Sequence, residues 1–244
     1  MNYLPEYDEE SNRGLSRMIY GHELWIGTVE RKNGKIRITA DYGHHMNHDR
    51  GFPDYYGLIK IVRQDGTEIT DFKTKDDGST RCVLFDDPGD DIITVYCYSN
   101  PVPWTQTEEG WFKGPKKDFK NVKFAGGFNM CAKRVISKTG KPGDCNKMPF
   151  EIMPCCTRLS AGCKFRCRVH YEGKPVGEGI MCIAFRADAE DGIPVKTDKD
   201  GYAEFTLDRN GEYMILALHK DPTKSVEGEY DAESYESTYT VVVS

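Results

Sequence analysis

The 244-residue chain carries 33 Lys and Arg against 39 Asp and Glu, a net charge of −6, with the two signs interspersed along its length. Proteins that grip phosphates gather positive charge into a patch or stripe, so nucleic acid is not an expected partner. No apolar run approaches the roughly 18 residues a membrane-spanning helix needs, and the length suits two modules of ordinary domain size.

Residues 1–21 read as a polar N-terminal arm rich in Glu6, Asp8, Glu9, Glu10, Ser11 and Asn12. The arm lacks the basic start, apolar stretch and small-residue cleavage site of a secretory signal. The expected location is cytoplasmic as the sequence stands, and extracytoplasmic if a signal peptide has been removed.

From there two-residue alternation recurs and helical periodicity does not, which predicts strands throughout. Leu24 to Val29 and Lys35 to Tyr42 are joined by the turn pair Asn33-Gly34, with Ile36, Ile38, Ala40 and Tyr42 sharing one face. Tyr56 to Arg63 and the β-prone run Ile92 to Tyr98 follow. Between residues 100 and 127 the pattern dissolves into Pro101, Pro103, Trp104, Trp111, Gly114, Pro115 and a lysine cluster, read as a long loop, with Gly126-Gly127 as flexible backbone. Arg134-Val135-Ile136 resumes the strands. Residues 22–148 thus form a first β-sandwich module.

Residues 149–244 form a second, immunoglobulin- or prealbumin-like sandwich. Its strands are Lys164 to Tyr171, Met181 to Phe185, Tyr202 to Leu207, Glu212 to His219 and Tyr239 to Val243. Phe165, Cys167 and Val169 alternate inward, as do Ala203, Phe205 and Leu207. Asp208-Arg209-Asn210-Gly211 reads as a hairpin turn. Asp198-Lys199-Asp200-Gly201 has neither the oxygen ligand an EF-hand needs where Tyr202 stands nor its closing glutamate, so it is a turn as well.

Nine cysteines admit three readings that stay open: small buried hydrophobes, a few disulfides, or a soft-metal site. Cys163 and Cys167 share a face about 13 Å apart at the normal strand rise, too far for one ion. Cys97 and Cys182 lie in apolar runs. Cys155 and Cys156, in the loop after Pro154, are the candidate reactive or bridging thiols, and adjacent cysteines pair with third parties more readily than with each other.

The strongest chemical signal is Gly43-His44-His45-Met46-Asn47-His48-Asp49, three imidazoles, a thioether and a carboxylate in one loop. Imidazole suits nickel, cobalt, zinc and copper. A loop lets His44 and His48 converge, and His22 begins the neighbouring strand. His22, His44 and His48 are first-choice ligands; His45 and His219 are second. No nucleophile elbow, phosphate-cradling glycine loop or carboxylate pair is readable, so no catalytic residue is named.

In order along the chain, Gly21-His22-Glu23-Leu24-Trp25, Asp41-Tyr42-Gly43-His44, Met148 to Pro154, Gly173-Lys174-Pro175-Val176, Thr197 to Gly201 and Ala217-Leu218-His219-Lys220 resemble the NikM-like family. Those proteins are β-rich, mostly extracytoplasmic, and commonly assigned to cobalt or nickel uptake systems. The resemblance implies binding of nickel or cobalt and a protein partner in a transport or assembly system. The competing expectations are a non-catalytic interaction module presenting the segment from Trp104 to Lys120, and a thiol redox protein using Cys155 and Cys156.

Overall fold

A computed structural model describes residues 22–48, 51–144, 146–189 and 192–244; the polar arm, Asp49 and Cys145 lie outside the described residues. Among the described residues the chain is all-β, its only helical pieces being single 3₁₀ turns at Asp54–Tyr56 and Lys116–Asp118. Among the described residues no helix is long and apolar enough to cross a membrane.

The strands are β1 (Glu23–Lys32), β2 (Lys35–His44), β3 (Asn47–His48), β4 (Leu58–Arg63), β5 (Phe72–Asp77), β6 (Thr80–Asp86), β7 (Ile93–Tyr98), β8 (Val102–Gln106), β9 (Trp111–Lys113) and β10 (Phe124–Ile136). Then come β11 (Phe150–Pro154), β12 (Arg158–Leu159), β13 (Cys163–Tyr171), β14 (Lys174–Pro175), β15 (Met181–Arg186), β16 (Ile193–Lys196), β17 (Tyr202–Leu207), β18 (Gly211–Asp221) and β19 (Ala232–Val243). A first outer sheet has the order β1-β2-β6-β5, with β3 on β2. The central sheet runs β16-β15-β18-β19-β10-β7-β4 and also holds β8, β9 and β12. In the second outer sheet, β13 pairs with β11, β14 and β17.

The two expected sandwiches are present, and they share the central sheet. One core lies between the first outer sheet and β4, β7 and β10, where Leu24, Ile38 and Val83 meet Ile61, Val95 and Ala132. The other lies between the second outer sheet and β15, β18 and β19, where Ile152, Phe165 and Phe205 meet Ala184, Ile215 and Tyr239. β10 and β19 join the halves by parallel pairing from Gly126↔Ala232 to Lys133↔Tyr239. Both faces of the central sheet are covered. In β18, Ile215 and Ala217 enter the second core, while Met214 and Leu216 pack from the opposite face against Trp25 of β1. Strands buried on both faces read as continuous apolar runs, as β7 and β15 do.

β1 is an edge strand, and an open row of backbone groups invites pairing with foreign strands. Here side chains of the central sheet satisfy part of that edge. The Arg134 Nη1 donates to the Ile26 and Gly27 carbonyls at 3.1 and 2.8 Å, and the Thr238 hydroxyl donates to the Leu24 carbonyl. The Leu24 N–H in turn donates to the Glu236 carboxylate.

Three local expectations are corrected. The segment read as a loop over 100–127 is a β8–β9 hairpin laid on β10. Its prolines hide it from a propensity reading, since Pro103 occupies a ladder position opposite Gly127. Gly126-Gly127 is strand interior, not flexible backbone: a Cβ on Gly127 would lie 2.8 Å from the Tyr230 ring. Gly127→Ala is therefore expected to cost about 1–3 kcal/mol through overpacking, measurable as a lower denaturant midpoint. Finally, Asp208 to Gly211 is no hairpin, because β17 belongs to the second outer sheet and β18 to the central one. The turn crosses between sheets, as Thr197 to Gly201 does between β16 and β17. There the Asp198 Oδ1 accepts the N–H groups of Asp200 and Tyr202 at 2.9 Å each, and Gly201 has φ +81°.

Candidate functional site

The histidine-rich segment is a tight hairpin between β2 and β3, with Gly43↔His48 and His44↔Asn47 as partners. Its two turn residues, His45 and Met46, have φ of 49° and 63°. Two successive positive φ values are the signature of a type I′ turn, normally made by Asn-Gly because side chains with a Cβ are strained there. Packing holds this strained pair in place. The His45 ring stacks on Phe185 with centroids 4.7 Å apart, the His45 N–H donates to Glu23 Oε2 at 2.7 Å, and Met46 is buried with Trp25, Met181 and Met214. Burial lowers the His45 pKa, so the imidazole favours its neutral form.

Alternation then sorts the histidines. His22 and His44 share the face of Leu24 and Tyr42, and their rings meet at 4.4 Å between centroids, tilted by 31°. His22 also stacks on Tyr42 at 4.9 Å, nearly parallel. His48 pairs with Gly43 and takes the opposite face, where its Nε2 lies 3.1 Å from Asp41 Oδ1 and its ring 5.5 Å from that of Trp25. Asp41 is well satisfied, since the Thr39 and Thr80 hydroxyls donate to its two oxygens at 2.8 and 2.7 Å. The structure thus brings His22 and His44 together and separates both from His48. His219 packs instead against residues of the second core. It sits on β18 in an aromatic cluster with Tyr171, Phe150 and Tyr235 at 4.6, 5.6 and 6.2 Å, and burial lowers its pKa against an opposing pull from Asp221.

Among the described residues, no group of three or more His, Cys, Asp or Glu is placed to hold one ion. The five histidines proposed from sequence therefore do not form a single ligand set. What remains of that expectation is the pair His22 and His44.

Two acidic residues beside this hairpin escape a reading of the sequence. Glu23 is 1% exposed, and Glu236 projects from β19 toward β1, where it accepts the Leu24 N–H. Glu23 Oε1 and Glu236 Oε1 are buried without a hydrogen-bond partner among the described residues. Burial first, and then the Glu236 charge, raise the Glu23 pKa well above the usual carboxylate range. Burial pushes Glu236 up to about 8 against the opposing Leu24 N–H. The one sequence signal for Glu23 is its place beside His22 at the head of a strand whose next three residues are apolar. Glu236 offers none.

The thiols fall into two groups. Cys97, Cys131, Cys167 and Cys182 are buried, and burial raises the pKa of each, that of Cys182 to about 12. Such thiols are inert hydrophobes. Cys155 and Cys163 are exposed, and Cys82 and Cys156 half-buried.

No curated protein matches the chain. Among solved structures, the D0-D1 domain of intimin is 12% identical, covering 85% of this chain and 90% of that one, with a TM-score of 0.23. Domains A168-A170 of titin are 9% identical, covering 91% and 98%, with a TM-score of 0.24. Native alpha-2-macroglobulin from Escherichia coli, spanning domains MG0-NIE-MG1, is 8% identical, covering 91% and 73%, with a TM-score of 0.25. These likenesses are weak and none bears on the site. The family model described as Domain of unknown function (DUF4198) matches residues 19–221.

Proposed function

This chain belongs to the family of the Domain of unknown function (DUF4198), and from that premise we propose that it binds a divalent transition metal, nickel or cobalt, through His22 and His44. The observation that carries this reading is the approach of the two imidazoles to 4.4 Å on strands whose register is fixed by the β1–β2 hairpin, from Glu23↔Gly43 to Lys32↔Lys35. Imidazole is a favoured ligand for nickel, cobalt and zinc. The resemblance of the motifs around these two residues to the NikM-like family points to the first two metals. With two protein ligands, the remaining coordination positions fall to water or to a partner, which suits an ion that is handed on rather than retained.

Titration calorimetry with nickel is the test. Wild-type protein is expected to bind one ion, and His22→Ala or His44→Ala to weaken binding at least about tenfold, since even outer-shell partners of a metal site are worth 10- to 100-fold. His48→Ala and His219→Ala are expected to leave the affinity unchanged. No binding in wild type, or equal loss in all four variants, removes the proposal.

A second reading, a non-catalytic interaction module, is favoured by one observation at the base of the β8–β9 hairpin. A groove of about 430 Å³ is lined by Tyr55, Leu58, Pro101, Val102, Pro103 and Lys113 among others, and Tyr55 and Leu58 are 36% and 41% exposed. This reading expects crosslinking through Lys113 to capture a protein partner and Leu58→Asp to abolish that capture while nickel binding stays intact.

A further inference from the structure

Three cysteines gather where the second outer sheet runs out. Pro154 of β11 pairs with Cys167 of β13, and the Cys155 N–H donates to the Arg166 carbonyl at 3.0 Å, extending the ladder by one residue. Past this point the chain bends, and Cys156 packs against the core cluster that holds Phe165. Because side chains alternate, Cys155 stands with Arg166 on the outer face and is exposed. Cys156 turns inward with Phe165 and packs against the second core. Cys163 precedes Phe165 by two positions and so shares the inward face. β13 begins there, however, and Cys163 is exposed. Carried two residues past the last pair of the β11–β13 ladder, the same register would make Cys156 and Cys163 diagonal neighbours at its end.

A diagonal pair in a regular ladder stands about 7–8 Å apart, just beyond the 4.4–6.8 Å between Cα atoms that a disulfide spans. Here the ladder has already ended at Cys155, and the chain turns away through Thr157, whose N–H donates to the Gly140 carbonyl. Drawing the two residues together there breaks no pair of the β11–β13 ladder, whose last pair is Pro154 with Cys167. The thiols also sense each other: burial raises the Cys156 pKa, and Cys155 and then Cys163 add to the rise.

We propose that Cys156 and Cys163 are a dithiol that closes to a disulfide on meeting a low-molecular-weight disulfide such as oxidised glutathione. The exposed Cys163 thiolate attacks one sulfur of the oxidant, forming a mixed disulfide and expelling one thiolate. Cys156 then loses its proton and attacks the Cys163 sulfur, expelling the second. Two protein thiols are oxidised, one external disulfide is reduced, and the two protons end on the two released thiols. The new bond closes residues 157–162 into a loop and pins β12, which pairs with the far end of β19. Cys155, on the outer face, is left free.

Full-length protein treated with oxidised glutathione at pH 8 and digested with trypsin without reduction tests this. Cleavage after Arg158 separates the two cysteines, so the expected product joins peptide 148–158 to peptide 159–164 with a mass two hydrogens below their sum. Cys155→Ser keeps the crosslink. Cys163→Ser, at an exposed position, loses it, and so does Cys156→Ser. Retention of the crosslink in Cys156→Ser, a crosslink to the peptide holding Cys145, or glutathione adducts with no crosslink in wild type would each overturn the proposal.

Discussion

Glu236→Gln is expected to make the protein more stable, and increasingly so as the pH rises. The Glu236 side chain reaches from β19 toward β1 with its Oε1 sealed from solvent, and its pKa is raised from the ordinary 4.5 to about 8, with burial the cause. In the unfolded chain the group ionises near pH 4.5; in the folded protein it keeps its proton until about pH 8. Between those values the native state binds more protons than the unfolded one, so stability falls as pH rises. The whole interval corresponds to roughly 5 kcal/mol at about 1.4 kcal/mol per pH unit. Glutamine keeps an oxygen for the Leu24 N–H and carries no charge to bury. Near pH 4.5 the variant and wild type are expected to melt together; at pH 8 and above the variant is expected to melt higher, by about 10–20 °C if the whole interval is realised. Parallel melting profiles for the two proteins across this range would show that Glu236 is not the source of the dependence.

Lys133→Met is expected to be the most damaging single change in the central sheet. Lys133 and Glu151 are 1% and 0% exposed, with Nζ to Oε2 at 2.6 Å. The same carboxylate oxygen accepts the Tyr96 hydroxyl at 3.1 Å. The other oxygen accepts the N–H groups of Lys147 and Met148. This one side chain of β11 thus ties the connection before it to β7 and β10. Removing the lysine leaves a carboxylate buried without its counter-charge, which costs about 3–5 kcal/mol. The double variant Lys133→Met/Glu151→Gln is expected to recover much of that loss, because a neutral amide keeps an acceptor for the two N–H groups. Denaturant unfolding of the wild type, both single variants and the double variant gives the coupling directly. A double variant as unstable as Lys133→Met alone would mean that the damage comes from lost packing rather than from the uncompensated charge.

How far these features can be read from the chain depends on which faces are wet. The second outer sheet has one face in water, so the alternation of Phe165, Cys167 and Val169, and of Ala203, Phe205 and Leu207, marks the buried side unambiguously. Asn33-Gly34 marks its turn because both residues adopt positive φ, 52° and 69°, as their composition favours. The central strands are apolar on both faces, so nothing local says which neighbour covers which side. β5 escapes notice because Lys73, Lys75, Asp76 and Asp77 give it the polar look of an exposed edge. At the site, His22 and His44 are legible as partners, since hairpin register and alternation put them together. The separation of His48 is not, because it hangs on a positive-φ turn made by His-Met, a pair that carries no turn signal. Glu23 and Glu236 meet only through packing between distant parts of the chain.

The parallel seam between β10 and β19 also governs when the molecule can exist. The Ala125 N–H and the Asp231 carboxylate that accepts it are 106 residues apart in sequence, and every pairing along the seam spans a similar distance. A ribosome delivers β10 long before β19, so one flank of β10 and the inner edge of β18 must wait as open strand edges. Contacts of such long range slow folding toward the millisecond-to-second regime, and waiting edges are where nascent β-proteins pair with the wrong chain. Closure of the second sandwich, and its joining to the first, thus waits for a single late strand, and the yield of native protein in the cell depends on how those edges are sheltered until it comes.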